Sequence, residues 1–229
     1  MADQVAARLL NRLIELQRNG RVAQLCLTGG RIATQIYTRL GLMVSGSKLD
    51  PGRLELWWGD ERFVPTDDPD RNAGPTLALL AGHFPLDPSR THPMPAADGL
   101  VDADASAATY AKELGDTVFD ICLLGVGPDG HVASIFPGHP SFEPTTQAVI
   151  GVSDSPKAPP ERISLSVHTL AASSEVWFLV VGADKADAVA RGLRGDPTIP
   201  AGVVRGRDLT VWLLDREAAA VLPYFACSL

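Results

Sequence analysis

The feature that most constrains the fold is a set of five short apolar runs without the polar–apolar alternation of a half-exposed strand. Continuous apolar runs of this length are typical of parallel strands that are buried on both faces. They occupy residues 22–27, 54–58, 119–124, 176–181 and 209–214. Segments with helical periodicity alternate with them, at 32–40, 74–81, 103–114, 185–193 and 217–222. This order predicts an α/β fold with a mostly parallel central sheet and helices on both faces.

Size and charge narrow the classes of function. A chain of 229 residues that is 45% hydrophobic can bury a substantial core, and we expect a single domain over residues 1–229. The net charge of −7 and the lack of a Lys/Arg-rich run argue against nucleic-acid or anionic-membrane partners. An anionic small molecule stays compatible with this charge, because a few local cations dominate the field at short range.

The N-terminal segment predicts an amphipathic packing helix, since Val5, Leu9, Leu13 and Leu16 recur at helical spacing. It lacks the apolar core of a secretory signal, and no run approaches the roughly 20 apolar residues that span a bilayer. We therefore expect a cytoplasmic protein.

Three cysteines, Cys26, Cys122 and Cys227, show no metal-ligand spacing. Two of them fall inside apolar runs, where a free cysteine behaves as a small hydrophobe. We interpret them as buried reduced thiols, and we expect no disulfide framework.

The first apolar run ends in a glycine turn that resembles an anion-binding loop. Thr28-Gly29-Gly30-Arg31 leads directly into the predicted helix at 32–40. The free N–H groups at a helix start, approached past glycines, suit a phosphate. A plain tight connection is the alternative interpretation, and Arg31 adds modest weight to the phosphate.

The second run ends in a charged cluster, Asp60-Glu61-Arg62, between Gly59 and Phe63. Arg62 is a candidate for clamping an oxyanion or phosphate, with the two acids holding it in place. A solvated surface cluster is the alternative. Further on, Asn72 stands where it would cap the helix predicted from residue 74.

The third run leads into the most informative turn of the chain, where Asp129 and His131 follow a buried strand. A strand end with glycines and an ionisable pair is where open α/β sheets place ligand sites, and imidazole is the usual proton shuttle. His83, His92, His139 and His168 lie in predicted loops or at element ends, and we assign them no chemistry. No second His or Cys stands at zinc-ligand spacing from His131.

The same turn also satisfies the glycine spacing of a dinucleotide-binding fingerprint, through Gly125, Gly127 and Gly130. That fingerprint opens a sustained helix. Here Pro137 follows Gly130 by seven residues and leaves room for little more than one helical turn. The sequence therefore disfavours a dinucleotide.

Three segments together resemble the 6-phosphogluconolactonase family. They read WGDER at 58–62, LGVGPDGH at 124–131 with SIFPG at 134–138, and SPKAPPER at 155–162. The resemblance extends from Gly29 to Ala201 and is more specific than any single motif. It implies a Rossmann-like three-layer α/β/α fold and hydrolysis of 6-phosphoglucono-δ-lactone to 6-phosphogluconate in the oxidative pentose phosphate pathway. It implies no required metal and no cofactor.

The resemblance also implies roles for individual residues. We expect His131 to act as general base and then general acid, Asp129 to position it or the water, and Arg62 to contact either the carbonyl or the phosphate. The predicted phosphate and substrate contacts are Thr28, Gly29, Gly30, Arg31, Lys157 and Arg162. The first loop departs from the family's frequent Ser-Gly-Gly-Ser-Thr-Pro, so side-chain hydroxyl contacts beyond Thr28 are not expected.

Two other functions stay open at this stage. The related glucosamine-6-phosphate deaminases, with the phosphosugar isomerases, carry a similar turn but place an acid five residues after the histidine, where this chain has Phe136. A non-catalytic phosphosugar-binding protein is the other alternative, disfavoured by the intact Asp129 and His131. In each case the partner is a small phosphorylated sugar, bound by a monomer or small homo-oligomer.

Overall fold

A computed structural model describes residues 1–223 and shows a six-stranded parallel sheet flanked by helices. Its strands are β1 (Ala23–Leu27), β2 (Leu54–Trp58), β4 (Thr91–His92), β5 (Ile121–Gly125), β8 (Glu175–Val180) and β9 (Leu209–Leu214). They are arranged in the order β4-β2-β1-β5-β8-β9, and every neighbouring pair is parallel. The predicted α/β fold with its mostly parallel sheet is confirmed.

Five of these strands lie where the apolar runs predicted them. The side chains of β1, β2, β5 and β8 form the core, whereas β9 is an edge strand whose residues are at most partly buried, so the expected burial on both faces is wrong for it. Leu123, Leu124 and Phe178 have no exposed surface. Burying each such side chain contributes about 1.5–3 kcal/mol, which is why these strands occupy the middle of the sheet. The two-residue edge strand β4 was not predicted, since it lies inside a proline-rich connection and has too few residues to form a pattern.

Helices connect the strands, and most of them match the periodicity of the sequence. They are α1 (Ala2–Leu16), α2 (Arg31–Val44), α3 (Ala73–Ala81), α4 (Ala103–Leu114), α5 (Val167–Ala171), α6 (Ala186–Leu193) and α7 (Pro200–Val203). Val5, Leu9 and Leu13 of α1 are buried, as its spacing predicts. The short helices α5 and α7 were not predicted.

The helix predicted at 217–222 is wrong. The chain forms turns there, in which Ala220 N bonds to Glu217 O and Leu222 N bonds to Ala219 O. Pro223 follows directly, and a proline disfavours helical geometry in the residue before it. The segment is therefore too short to propagate a helix.

A second sheet, also absent from the sequence prediction, covers one side of the strand ends. It consists of β3 (Asp60–Arg62), β6 (Val149–Val152) and β7 (Arg162–Leu165), in the antiparallel order β3-β7-β6. Its register pairs Asp60 with Ser164 and Arg62 with Arg162. Because side chains alternate along a strand, these four lie on one face of the small sheet.

Cys26 and Cys122 are buried free thiols on the paired strands β1 and β5, as expected for structural cysteines. Cys227 lies outside the described residues. Within residues 1–223, every helix is too short or too polar to pass through a lipid bilayer.

Candidate active site

A cavity of about 300 Å³ lies at the carboxyl end of the parallel strands, between that edge and the second sheet. Its walls carry the three glycine-containing or charged turns that the sequence singles out. The lining residues are Thr28, Gly29, Gly30, Asp60, Arg62, Asn72, Gly125, Val126, Gly127, His131, Ala133, Lys157, Ala158, Arg162 and Lys185. The structure thus brings six separate segments of the chain into one site.

The third turn fixes His131 against the backbone that follows β5. Gly127 N donates to His131 O at 2.9 Å and closes the turn. A Cβ on Gly127 would lie 2.0 Å from the imidazole and 2.6 Å from Asp129 Oδ1, so only glycine leaves room for both side chains. The imidazole packs on the ring of Phe136, with centroids 4.9 Å apart. The ring of His131 is therefore held in place on two sides.

Asp129 does not line the cavity, but its side chain contacts His131, which does. Its Oδ1 lies 2.5 Å from His131 Nδ1. Partial burial raises the pKa of Asp129, but the hydrogen bond from His131 and the nearby charges of His131 and Lys157 outweigh it, so that its pKa lies well below the ordinary value. A carboxylate only accepts hydrogen bonds, so Nδ1 carries a proton, and in the neutral form of the ring Nε2 presents a free lone pair.

Lys157 reaches the same imidazole from the loop that precedes β7. Its Nζ lies 3.3 Å from His131 Nδ1. Both groups are hydrogen-bond donors there, so this approach is not a hydrogen bond, and the attraction of Asp129 for the ammonium group offsets the repulsion between the two donors. Desolvation lowers the pKa of Lys157, and the attraction of Asp129 partly opposes that shift. Lys157 is thus a cation placed beside the imidazole and exposed to the cavity.

Arg162 holds the Lys157 loop. Its Nε donates to Pro159 O at 3.1 Å, and its Nη2 donates to Lys157 O and Ala158 O at 3.0 and 3.1 Å. Burial lowers the pKa of Arg162, partly opposed by the charge of Asp60. This guanidinium therefore shapes the cavity wall as well as contributing positive charge to it.

Arg62 lies on the wall that the second sheet forms. Its Nη1 donates to Asp70 O, and its buried Nε has no hydrogen-bond partner among the described residues. The register opposite Arg162 explains why two residues 100 positions apart face the same cavity. The sequence motif predicted Arg62 at the site, and the structure places it there.

The acids of the same motif differ in their surroundings. Glu61, fully buried, accepts hydrogen bonds from Arg62 N, Asn72 N and Ala73 N at 2.7–2.9 Å. Burial raises its pKa against the opposing effect of these bonds. Glu61, and not the side chain of Asn72, thus caps α3. Asn72 occupies the predicted position, but its Nδ2 donates to Asp60 O instead.

The first turn supplies backbone to the cavity but not the side chain of Arg31. Gly30 precedes α2 with φ +102°, a backbone conformation that residues other than glycine rarely adopt. No side chain caps the start of this helix. The N–H groups at the start of α2 are thus available to an anion. Arg31 is the first residue of α2, is exposed, and does not line the cavity, so its predicted phosphate contact stays a prediction.

Lys185 is the lining residue that the sequence analysis missed. It ends a single turn of 3₁₀ helix, Ala183–Lys185, that follows β8, and its Nζ lies 2.8 Å from Asp184 Oδ2. A lysine at a predicted helix start looks like an ordinary surface residue. Its position just after a parallel strand was the available signal, because that edge of the sheet carries the ligand sites.

The charge of the cavity is opposite to that of the whole chain. Four cations, Arg62, Lys157, Arg162 and Lys185, line it with one acid, Asp60. Over the described residues, no cluster of three or more His, Cys, Asp or Glu side chains is arranged to hold a metal ion. The site combines a tethered histidine with cationic groups and suits an anionic organic substrate.

Residues 1–212 match the family described as glucosamine-6-phosphate isomerases/6-phosphogluconolactonase. The chain belongs to this family. A 6-phosphogluconolactonase of Streptomyces coelicolor is 46% identical, over 97% of this chain and 91% of the relative. The solved structure of 6-phosphogluconolactonase from Thermotoga maritima has a TM-score of 0.81 and 26% identity, covering 93% of this chain and 94% of that one. The resemblance inferred from the three sequence segments is confirmed.

Fold alone does not separate the two activities in the family's description. The structure of a monomeric glucosamine-6-phosphate deaminase also matches, with a TM-score of 0.78, 25% identity and coverage of 96% and 95% of the two chains. The distinction must come from the residues of the site. Phe136, 1% exposed beneath His131, is the local difference that bears on it.

Proposed function

We propose that this protein hydrolyses 6-phosphoglucono-δ-lactone to 6-phosphogluconate, the lactonase step of the oxidative pentose phosphate pathway. The observation that carries the proposal is the position of His131. Its Nδ1 is bound to Asp129, while its ring lines the same cavity as four cations. A general base and an anion-binding wall thereby face one small volume, as hydrolysis of a phosphorylated lactone requires.

His131 serves as base and then as acid. Nε2 takes a proton from water as the water oxygen bonds to C1 of the lactone, which leaves a negative charge on the carbonyl oxygen. When that tetrahedral intermediate collapses, the bond from C1 to the ring oxygen breaks. Nε2 then returns the proton to the departing oxygen, so protons balance over the cycle. Asp129 holds the Nδ1–H tautomer and stabilises the imidazolium formed in between.

The 6-phosphate binds to the cationic wall. We assign it to the backbone of Gly29 and Gly30, the ammonium groups of Lys157 and Lys185, and the charge of Arg162. Thr28 lines the cavity beside them. Arg62 contacts either the lactone carbonyl, where it would stabilise the oxyanion, or the phosphate.

Phe136 favours the lactonase over the deaminase. The deaminase pattern has an acid at this position to complete a proton relay for ring opening. Here an apolar ring fills it and packs on His131. A lactone is opened by water at C1 and needs no such relay. The intact pair of Asp129 and His131 likewise favours an enzyme over a phosphosugar-binding regulator.

Three further features belong to the same proposal. We infer that the chain is one domain over residues 1–229, that it acts in the cytoplasm, and that it is a monomer or small homo-oligomer. Burial of Cys26 and Cys122 as free thiols is compatible with a reducing compartment.

A coupled assay distinguishes the candidate functions. Glucose 6-phosphate is oxidised enzymatically to the lactone, and loss of the lactone is followed above its spontaneous hydrolysis. The proposal predicts saturable acceleration by this protein and no ammonia release from glucosamine 6-phosphate. Ammonia release without lactone hydrolysis would assign the deaminase, and binding of 6-phosphogluconate without turnover would assign the regulator.

A further inference from the structure

Asp60 is the only acid among the described residues that line the cavity. It is 7% exposed, and the other ionisable residues around it in the wall are cations or His131. An acid at this place weakens the attraction of the cavity for a phosphate. Its presence in an otherwise cationic site therefore needs a physical reason.

The hydrogen bonds of Asp60 leave one carboxylate oxygen without a protein donor. Oδ2 accepts from Ser134 Oγ at 2.8 Å. Within the described residues, no hydrogen bond reaches Oδ1, and no lysine, arginine or histidine forms an ion pair with this carboxylate. A carboxylate accepts several hydrogen bonds, and Oδ1 is not among the fully buried side-chain atoms that lack a partner, so it stays accessible from the cavity that Asp60 lines. A donor from the ligand would satisfy Oδ1.

The surroundings fix the direction of that free oxygen. Ser134 and Ser164 have no exposed surface, and Ser134 N donates to Ser164 Oγ at 3.2 Å. Asp60 and Ser164 are paired across β3 and β7, and Asp60 O accepts from Asn72 Nδ2 at 3.1 Å. The backbone and one oxygen of Asp60 are thus held before any ligand arrives. Such an acceptor is preorganised and loses little freedom on binding.

We propose that Asp60 accepts a hydrogen bond from a ring hydroxyl of the phosphorylated lactone and thereby determines which hydroxylated lactones the enzyme uses. Phosphate and carboxylate are both acceptors and repel each other, whereas a hydroxyl group donates to Oδ1. Asp60 therefore orients the sugar ring, while the cations bind the phosphate. This inference rests on the proposed lactonase function.

The test compares 6-phosphoglucono-δ-lactone with its 2-deoxy, 3-deoxy and 4-deoxy analogues. In the wild-type enzyme, one analogue should lose about 10- to 100-fold in kcat/KM, the usual value of a hydrogen bond to a charged group. The amide of Asp60→Asn still accepts from Ser134. In this variant, kcat/KM for the affected analogue should come to within about threefold of that for the parent lactone. The kcat/KM ratios of the other two analogues to the parent should stay as in the wild type. Because the wild-type comparison needs no variant, it can overturn the inference even if Asp60→Asn fails to fold.

Glu61→Gln is the matched control. It removes the same charge from the neighbouring residue, whose side chain caps α3 and does not line the cavity. The kcat/KM of each deoxy analogue relative to the parent lactone should equal the wild-type ratio. The inference is overturned if no deoxy analogue loses more than threefold in the wild type, or if Asp60→Asn slows all four lactones equally. A wild-type protein that accelerates none of the lactones would instead refute the proposed function.

Discussion

The amino and carboxyl edges of the central sheet, where its parallel strands begin and end, differ in how their charged side chains are paired. At the amino edge, Glu175 accepts from Arg12 Nε at 2.6 Å and from Trp177 Nε1 at 2.8 Å. Asp120 there accepts from the Arg21 guanidinium and from Gln24 N. At the carboxyl edge, Arg62, Lys157 and Arg162 have no carboxylate partner among the described residues. Charges at the amino edge are thus paired within the fold, whereas three of the four cavity cations are left for a ligand and the fourth, Lys185, pairs with the exposed Asp184.

The contrast predicts that substitutions at the carboxyl edge change kinetics and that those at the amino edge change stability. His131→Ala should give the largest effect. Loss of the general base should lower kcat by on the order of 10² to 10⁴, because His131 is the only histidine among the described residues that line the cavity and imidazole is the usual proton shuttle. Steady-state kinetics measure this loss, and circular dichroism checks that the variant folds. Turnover near the wild-type value would remove His131 from the mechanism.

Lys157→Ala should have the next largest effect. A lost charge-assisted contact should lower kcat/KM for the phosphorylated lactone by about 10- to 100-fold, mainly through KM. An unphosphorylated gluconolactone, assayed in parallel, should lose much less. Lys112→Ala, on the exposed side of α4, is the matched control and should match the wild type on both substrates. Equal losses of Lys157→Ala on the two lactones would argue against phosphate recognition.

Glu175→Ala tests the amino edge. It leaves the buried Trp177 Nε1 without its acceptor and Arg12 without its buried partner. The free energy of unfolding should fall by about 1–3 kcal/mol, as measured by urea denaturation. The kcat of the remaining folded protein should stay within about twofold of the wild type. A tenfold loss of kcat would show that the two edges are not independent.

The pH dependence of stability should show the smallest effect. The pKa of Asp129 is depressed in the folded state, so its ionised form stabilises the fold above the ordinary pKa of about 4 and loses that contribution as the pH falls. Wild type should exceed Asp129→Asn in unfolding free energy at pH 7. The difference should begin to shrink below about pH 4 and should persist in part at pH 3, because the folded-state pKa lies well below that pH. It should stay below about 1 kcal/mol, because the Asp129 side chain is 39% exposed. A difference that grows toward pH 3 would contradict this assignment.

The sequence predicts the parallel sheet well because four of its strands are largely buried and read as continuous apolar runs, as does the partly buried edge strand β9. It does not predict β3, β6 and β7, which are only three or four residues long and range from the fully charged DER of β3 to the apolar VIGV of β6. The pairing of β3 with β7 joins segments about 100 residues apart, which leaves no local pattern. The same limit hides the opposition of Arg62 and Arg162.

The site residues show the same division. Asp129 and His131 are predictable because they directly follow a buried strand, whereas Lys185 resembles a surface lysine until β8 and its turn are placed. Arg31 was predicted from its neighbours in sequence, but it starts α2 on the exposed side. The capping role of Glu61 depends on where α3 begins in space. Proximity along the chain therefore predicts backbone turns better than it predicts the direction of side chains.

The proposed function depends on one phosphosugar that spans from His131 to the cationic wall of a single cavity. A crystal structure with the product 6-phosphogluconate bound would show directly whether it does. We expect the phosphate to contact Lys157, Lys185 and the Gly29–Gly30 backbone. The C1 carboxylate should lie roughly 3 Å from His131 Nε2, the distance that proton transfer requires. A product bound with its carboxylate away from His131, or with its phosphate outside this cavity, would contradict it.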